Sequence, residues 1–354
     1  MKFKTVAYKG SKRKLLENIE HYAEEIGAKT VFDGFSGTGI VSAHMRSQGY
    51  TVAANDLNHS SYIYGSVFLN GYNSEIVSEY IEQLNSLQPL PGWLTENYGG
   101  ARARVIRGTN GSVEKRPRGF TAANAAKLDA ARDFLESQKE KISLNDYNAL
   151  VFSIILAADK VFNNSNDQKS ALKEWIPAAL KDVLFSLPTL ISGPTGIQTR
   201  GDILNLTVGG DLVYLDPPYT HGVLYASCYH LNDSIARWDK SELDHDYAVA
   251  RPKAVCFRKN GQKAGGFYNK ESAKTAFNKL IGAARAKRIV LSYSDAPRNT
   301  LSITELVEIC QKHGEVKIHS FDHRICTQPK VFNKISKELK EFFIVVDKEH
   351  NKWI

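Results

Sequence analysis

Apolar and polar residues fall along this chain in blocks whose spacing predicts the first elements. Leu15, Leu16, Ile19, Tyr22 and Ile26 recur at helical intervals, which predicts an amphipathic helix over 12–26. Thr30-Val-Phe-Asp33 is a short apolar run ending in an acid, followed by the glycine-rich Gly34-Phe-Ser-Gly-Thr-Gly39. Helical spacing returns from Ile40 to Ser47, and Thr51-Val-Ala-Ala-Asn-Asp56 reads as a second strand that closes on an acid. Strand, glycine turn, helix, strand is a βαβ unit, so a parallel sheet and an α/β fold are expected.

The pattern changes beyond Asn58. Ser60 to Leu87 and Asn124 to Leu190 carry helical periodicity, with no clear strand in or between them. Strand signals resume at Asp211 to Asp216 and Arg288 to Tyr293. A helix over Ile303 to Lys312 and strands near Val316 to His319 and Phe342 to Val346 follow. The expected organisation is a discontinuous α/β domain over 1–57 and 199–354, interrupted at 58–198 by a mainly helical insertion. Residues 220–287 form a basic extension within the α/β half.

With 42% hydrophobic and 24% charged residues, the composition is that of a globular protein rather than a disordered or disulfide-stapled one. The best apolar run, Ala149 to Ala158, stops at Asp159, short of the ~18 residues of a membrane span. The N-terminus lacks the apolar core of a secretory signal. Cys228, Cys256, Cys310 and Cys326 are too far apart for a paired-cysteine metal or redox motif. A cytoplasmic, metal-free monomer is the expectation. The formal charge of +8 is unevenly spread. Residues 251–288 hold eleven Lys/Arg against Glu271 alone, and residues 98–120 hold six against Glu114 alone. Both stretches interleave glycines and aromatics with the charges, which suits a phosphate backbone and stacked bases as well as it suits a solvated surface. The candidate contacts are Arg102, Arg104, Arg107, Lys115, Arg116 and Arg118, then Arg258, Lys259 and Lys263.

Two motifs carry chemistry. Glycines in Asp33 to Gly39 let the backbone approach a ligand where the following helix offers free N–H groups. The second half of a dinucleotide GxGxxG is absent; Asp33 can take a cationic amine, and Asp56, seventeen residues after Gly39, can hold a ribose hydroxyl pair. That combination fits S-adenosylmethionine better than a nicotinamide dinucleotide. The other motif is Asp216-Pro217-Pro218-Tyr219, directly after an apolar strand. Successive prolines fix φ and remove two donors, leaving an acid, carbonyls and a ring at the strand's C-terminal edge. Such a set fits a flipped-out base amine, and directly after a strand in a chain that also carries the glycine turn this outweighs the alternative of a rigid strand-ending turn.

With Tyr8-Lys-Gly-Ser-Lys12 ahead of these motifs, Gly201-Asp202-Ile203 between them and Ser292-Tyr-Ser-Asp295 after them, the chain resembles the α-class, D12-type N6-adenine DNA methyltransferases, the Dam-like group, over nearly its whole length. Phe120 to Ala125 and Tyr229 to Asp239 are similar to members from restriction–modification systems. The resemblance implies a Rossmann-like class I fold for S-adenosylmethionine with an inserted target-recognition domain. It implies double-stranded DNA as partner, with any cognate endonuclease a separate protein.

By the same resemblance Tyr8 and Lys12 lie beside the cofactor, Asp33 near its amino group, and Gly34, Gly37 and Gly39 under its methionine moiety. Asp56 holds the ribose, Asp202 accepts from the cofactor's adenine with Ile203 against the ring, and Asp216 borders the pocket. Ser36, a small polar residue in the glycine turn, is a further cofactor-binding candidate to which the resemblance assigns no contact, and Ser11 departs from the second glycine that Dam-like members often have. Asp216 and the Pro217 carbonyl then accept the two N6–H groups, Pro218 stiffens the turn, and Tyr219 stacks on the flipped base. N4-cytosine methylation is a rival that usually has Ser in place of Asp216. RNA adenine methylation is another, and a non-catalytic DNA-binding module predicts decay of motifs that are intact here. No cysteine follows a proline, as a cytosine-C5 nucleophile typically does.

Overall fold

The computed structural model describes residues 3–7, 10–105, 113–164, 168, 172–220, 228–243, 266–323 and 339–348. These form two compact units. One comprises Gly10–Asn70, Ile191–Tyr225 and Lys263–Ile354; the other comprises Met1–Lys9, Gly71–Leu190 and Ala226–Gln262. The expected division at 58 and 198 differs from this one at both ends of the insertion.

The first unit is built on strands β1 (Thr30–Asp33), β2 (Thr51–Asp56), β5 (Ile197–Arg200), β6 (Gly209–Leu215), β7 (Arg285–Ser294), β8 (Glu315–His323) and β9 (Leu339–Asp347). Their order in the sheet is β5-β2-β1-β6-β7-β9-β8. Every pairing is parallel except those of β9, which runs against both β7 and β8. Helices α1 (Leu16–Glu24), α2 (Ile40–Ser47) and α3 (His59–Asn70) pack on one another and on β1, β2, β5 and β6. Helices α9 (Lys270–Ala283) and α10 (Ile303–Gln311) cover the face that carries Phe32, Val213, Leu215, Ile289, Leu291, Ile344 and Val346. The intervening Val31, Leu212, Tyr214, Val290 and Val345 are buried too, so both faces are covered and the strands read as unbroken apolar runs. This is the expected Rossmann-like architecture. α3 belongs to this unit because Ile63, Val67 and Phe68 are buried against it, and residues 191–200 because β5 extends the sheet beyond β2.

The second unit contains α4 (Ser74–Ser86), α5 (Trp93–Tyr98), α6 (Ala122–Gln138), α7 (Leu144–Val161) and α8 (His230–Arg237). It also holds an antiparallel hairpin, β3 (Ala101–Val105) with β4 (Val113–Pro117). The hairpin lies in the first basic stretch, where no strand was expected, because its alternation is Ala and Val against Arg rather than a strong apolar signal. Helical spacing also misleads after α7: residues 172–190 contain no helix. Pro177 and Pro188 break the ladder, and side-chain amides take its place. Asn124 receives the Val183 N–H at 3.1 Å and donates to the carbonyls of Ala179 and Lys181 at 3.3 and 2.8 Å. Asn85 exchanges two bonds with the Phe185 backbone. At the centre of the unit Arg132 is fully buried, donating to the Ile235 carbonyl and lying over the rings of Tyr147 and Trp238.

Of the second basic stretch, residues 266–288 are described. From Lys270 it becomes α9 and then β7, and three of its cations are spent locally. Lys274 pairs with Glu305, Lys287 with Asp211, and Arg288 with Asp347 and Glu25.

Candidate active site

From β1 the chain runs to β2 on one side, and β6 lies on the other, so the sheet order reverses at β1 and β6. Ligands of open α/β sheets bind beyond the carboxyl ends of strands at such a point. Four strands deliver acids there: Asp33 ends β1, Asp56 ends β2, Asp202 follows β5 and Asp216 follows β6.

The turn after β1 is held by its own backbone. Ser36 N–H donates to the Asn55 carbonyl at 2.9 Å, and Gly39 N–H to the Ser36 carbonyl at 2.7 Å. Gly39 caps α2 with φ of +74°, and a Cβ there would lie 2.9 Å from the Phe68 ring. Gly34 is closed in differently: a Cβ would meet Ile203 Cδ1 and Leu215 Cδ2, each at 2.7 Å. Asp56 accepts the Gly37 N–H at 2.8 Å and the Asn58 N–H at 2.9 Å, which ties the end of β2 to the glycine turn. Burial raises its pKa against those bonds. Asp202 accepts the Leu204 N–H at 3.0 Å, capping a short turn that presents Ile203 to the core.

Asp33 is buried, with Oδ2 accepting from the Ser42 hydroxyl at 2.6 Å and Oδ1 without a hydrogen-bond partner among the described residues. Burial pushes its pKa up to about 7; the Ser42 bond opposes this, and the charges of Asp56 and Asp216 add to it.

Lys12, just ahead of α1, has a nearly inaccessible side chain that reaches beneath the turn after β6. Its Nζ lies 2.7 Å from Asp216 Oδ2, 3.2 Å from the Gly10 carbonyl and 3.4 Å from Glu341 Oε1. Burial works against the ammonium, but Asp216, Tyr214 and Glu341 hold its pKa above the ordinary lysine value. Asp216 itself is pushed up to about 6, by burial first, with Lys12 opposing and Glu341 adding. Its side chain keeps 23% of its accessible surface against 6% for Lys12, so the acid faces outward from a buried cation. Beyond Pro217 and Pro218, the Tyr219 ring packs against Tyr293 with centroids 4.2 Å apart, and its carbonyl accepts the Thr300 N–H at 2.9 Å.

The first unit therefore brings together Lys12, Asp33, Gly34, Ser36, Gly37, Gly39, Asp56, Asp202, Ile203 and Asp216 to Tyr219. Tyr8, Arg107, Arg258, Lys259 and Lys263 lie outside the described residues. Arg102, Arg104, Lys115 and Arg116 are on the hairpin of the other unit, followed by Arg118. Glu341, Ser292 and Tyr214 went unmarked as site residues in the sequence. The signal for Glu341 was an acid heading the apolar run of β9, Phe-Phe-Ile-Val-Val, where a solvent-facing residue is the ordinary reading.

Residues 8–290 match the sequence profile of the D12 class N6 adenine-specific DNA methyltransferases. The chain belongs to that family. It is an enzyme that methylates adenine N6 in DNA. Type II methyltransferase M.NlaIII of Neisseria lactamica is 28% identical over 351 residues, 95% of this chain and 96% of that protein. Type II methyltransferase M.CviAII of Paramecium bursaria Chlorella virus 1 is 27% identical over 336 residues, 90% of this chain and 92% of its own. Modification methylase LlaI of Lactococcus lactis subsp. lactis is 26% identical over 96% of this methyltransferase, which spans 55% of that longer protein.

Proposed function

We propose that this methyltransferase modifies a specific site in duplex DNA, using S-adenosylmethionine and an adenine turned out of the helix, in the manner of the Type II enzymes it resembles. The observation that carries the reading is the Asp216 turn, held by a buried lysine among the acids of β1, β2 and β5. The pocket chemistry fits the donor. Asp33 offers a buried carboxylate oxygen, without a partner among the described residues, to a cationic amine. Asp56 stands at the end of β2 against the glycine turn, where a carboxylate can accept from hydroxyls, and Ile203 lies against the same turn.

When bound, the donor supplies a sulfonium methyl whose S–C electrons stay with sulfur. The residues of this chain arrange the acceptor. An exocyclic amine is a weak nucleophile because its lone pair is drawn into the ring. Asp216 and the Pro217 carbonyl each accept one N6–H, which turns the lone pair outward to form the new N–C bond, and Asp216 is placed to receive the proton then lost. Tyr219, backed by Tyr293, offers a ring to the extruded base and offsets part of an unstacking cost of a few kcal/mol. Positioning and fixed charge supply the acceleration. The helical unit with its basic hairpin reads the target. The enzyme acts as a monomer in the compartment that holds the DNA, with any endonuclease a separate chain.

Asp216→Ala is expected to abolish transfer of labelled methyl to unmodified DNA while DNA binding persists. Substantial methylation by that variant would overturn this chemistry. Sequencing the modified bases then separates N6-methyladenine from N4-methylcytosine and gives the site.

A further inference from the structure

We propose that Glu341, carried by the antiparallel strand β9, is a positioning residue for methyl transfer that offsets the charge of Lys12, so that the Asp216 carboxylate presents a net negative field to the base amine. The inference rests on the reading of Asp216 given above.

A lysine beneath an acid that must attract an amine poses a problem. An isolated Lys12–Asp216 pair would be neutral, and its field at the amine would largely cancel just where positive charge develops on N6. The structure contains a second carboxylate on the far side of the ammonium. Glu341 is 3% exposed, its Oε1 lies 3.4 Å from Lys12 Nζ, and it receives the Ser292 hydroxyl of β7 at 2.5 Å. The ammonium meets Asp216 through Oδ2, with the Gly10 carbonyl as its third acceptor. Two acids thus share one cation, and the surplus negative charge belongs to the more accessible of them, Asp216.

Groups from every surrounding element take part. Tyr214 on β6 is buried beside Lys12 and Asp216, Ser292 on β7 fixes Glu341, and Asp33 on β1 feels the charge of Asp216. A buried acid costs several kcal/mol unless it is paired, and Glu341 finds its pairing in Lys12 and Ser292, which ties it to the cation beneath Asp216. The backbone register does not need it: Glu341 pairs with Ser294 through main-chain atoms that any residue supplies.

The test is the pH profile of the full-length enzyme, with labelled donor and unmethylated genomic DNA. Asp216 must be ionised to accept from the amine, so activity of the wild type rises with pH through about 6. Glu341 contributes to that elevated value. Glu341→Gln keeps the shape and an acceptor for Ser292 but removes the charge. The rising limb is expected to move to lower pH while the plateau kcat falls on the order of tenfold, with the KM for the donor little changed. A purely structural glutamate would lower stability without moving the limb. An unmoved limb with a wild-type plateau overturns the inference. Should Glu341→Gln not fold, Glu341→Asp decides: drawing the carboxylate back by one methylene is expected to cost several-fold in rate, and a wild-type rate overturns the proposal. Asp216→Asn run in parallel separates the two levels. If it retains wild-type transfer, the reading of Asp216 has failed; if it is inactive while Glu341→Gln behaves as wild type, only the role of Glu341 has.

Discussion

Asp33 illustrates how a single buried carboxylate links fold, pH and ligand. Its pKa of about 7, raised by burial first, means that below neutrality it carries a proton in the fold that an unfolded aspartate releases. The folded state therefore binds more protons across that window, and the free enzyme loses this contribution to stability as pH rises through about 7. A bound ammonium reverses the balance, because it favours the ionised carboxylate. Donor affinity is expected to strengthen as pH rises through about 7 and to weaken again as the donor's α-amino group deprotonates at about 7.7–8.0. Equilibrium dialysis with labelled donor across this interval checks it. Asp33→Asn should bind more weakly and lose the rise on the acid side; a wild-type profile in that variant removes Asp33 from the amine site. Gly39 makes a second residue-scale case. With φ of +74° and the Phe68 ring 2.9 Å from a new Cβ, Gly39→Ala incurs both backbone strain and a clash. It should destabilise the protein by about 1–3 kcal/mol, read as a lower urea midpoint.

Elements whose hydrophobic signal was intrinsic were legible in the sequence, and those held by outside partners were not. The helix at Ile40–Ser47 and the strand at Thr51–Asp56 follow the expected bounds, and β6 and β7 extend theirs by a few residues, because a covered sheet demands continuous apolar runs. The acids at the strand ends were legible for the same reason: a polar residue ending such a run has only the crevice to face. β5 was not, since Ile-Gln-Thr-Arg is an edge strand with one buried residue in four. Glu341 was hidden because its partners Lys12 and Ser292 are remote in sequence. Residues 172–190 misled because their leucines keep helical spacing although the backbone is held by Asn124 and Asn85; Leu180 and Leu184 are 60% and 67% exposed. That brace can be tested. Asn124→Ala strands two carbonyls and the Val183 N–H in a buried setting, and should cost about 2–3 kcal/mol, seen as a lower urea midpoint with donor affinity unchanged. A wild-type midpoint would mean that water or local rearrangement satisfies those groups.

At the scale of the whole molecule, the formal +8 is a poor guide to where DNA lies until local pairing is subtracted. Lys274, Lys287 and Arg288 sit against Glu305, Asp211, Asp347 and Glu25, so beyond a Debye length their fields are largely cancelled. The hairpin holds the other concentration of charge. Its register sets Arg102 opposite Arg116 and Arg104 opposite Glu114, so cations outnumber acids at the paired positions, with Lys115 exposed. Each phosphate neutralised on duplex DNA contributes roughly 0.9 to the slope of log K against log salt. Replacing Arg102, Arg104 and Arg107 by alanine should therefore weaken binding at low salt and flatten the slope by up to about 2.7, while donor affinity stays at its wild-type value. Lys274→Ala with Lys287→Ala is the control, since it removes two cations already balanced within the fold, and its slope should stay within error of wild type. An unchanged slope in the arginine variant would return the hairpin to ordinary solvated surface. A slope that falls in both variants in proportion to the three and two cations removed would mean that the enzyme senses only its net charge.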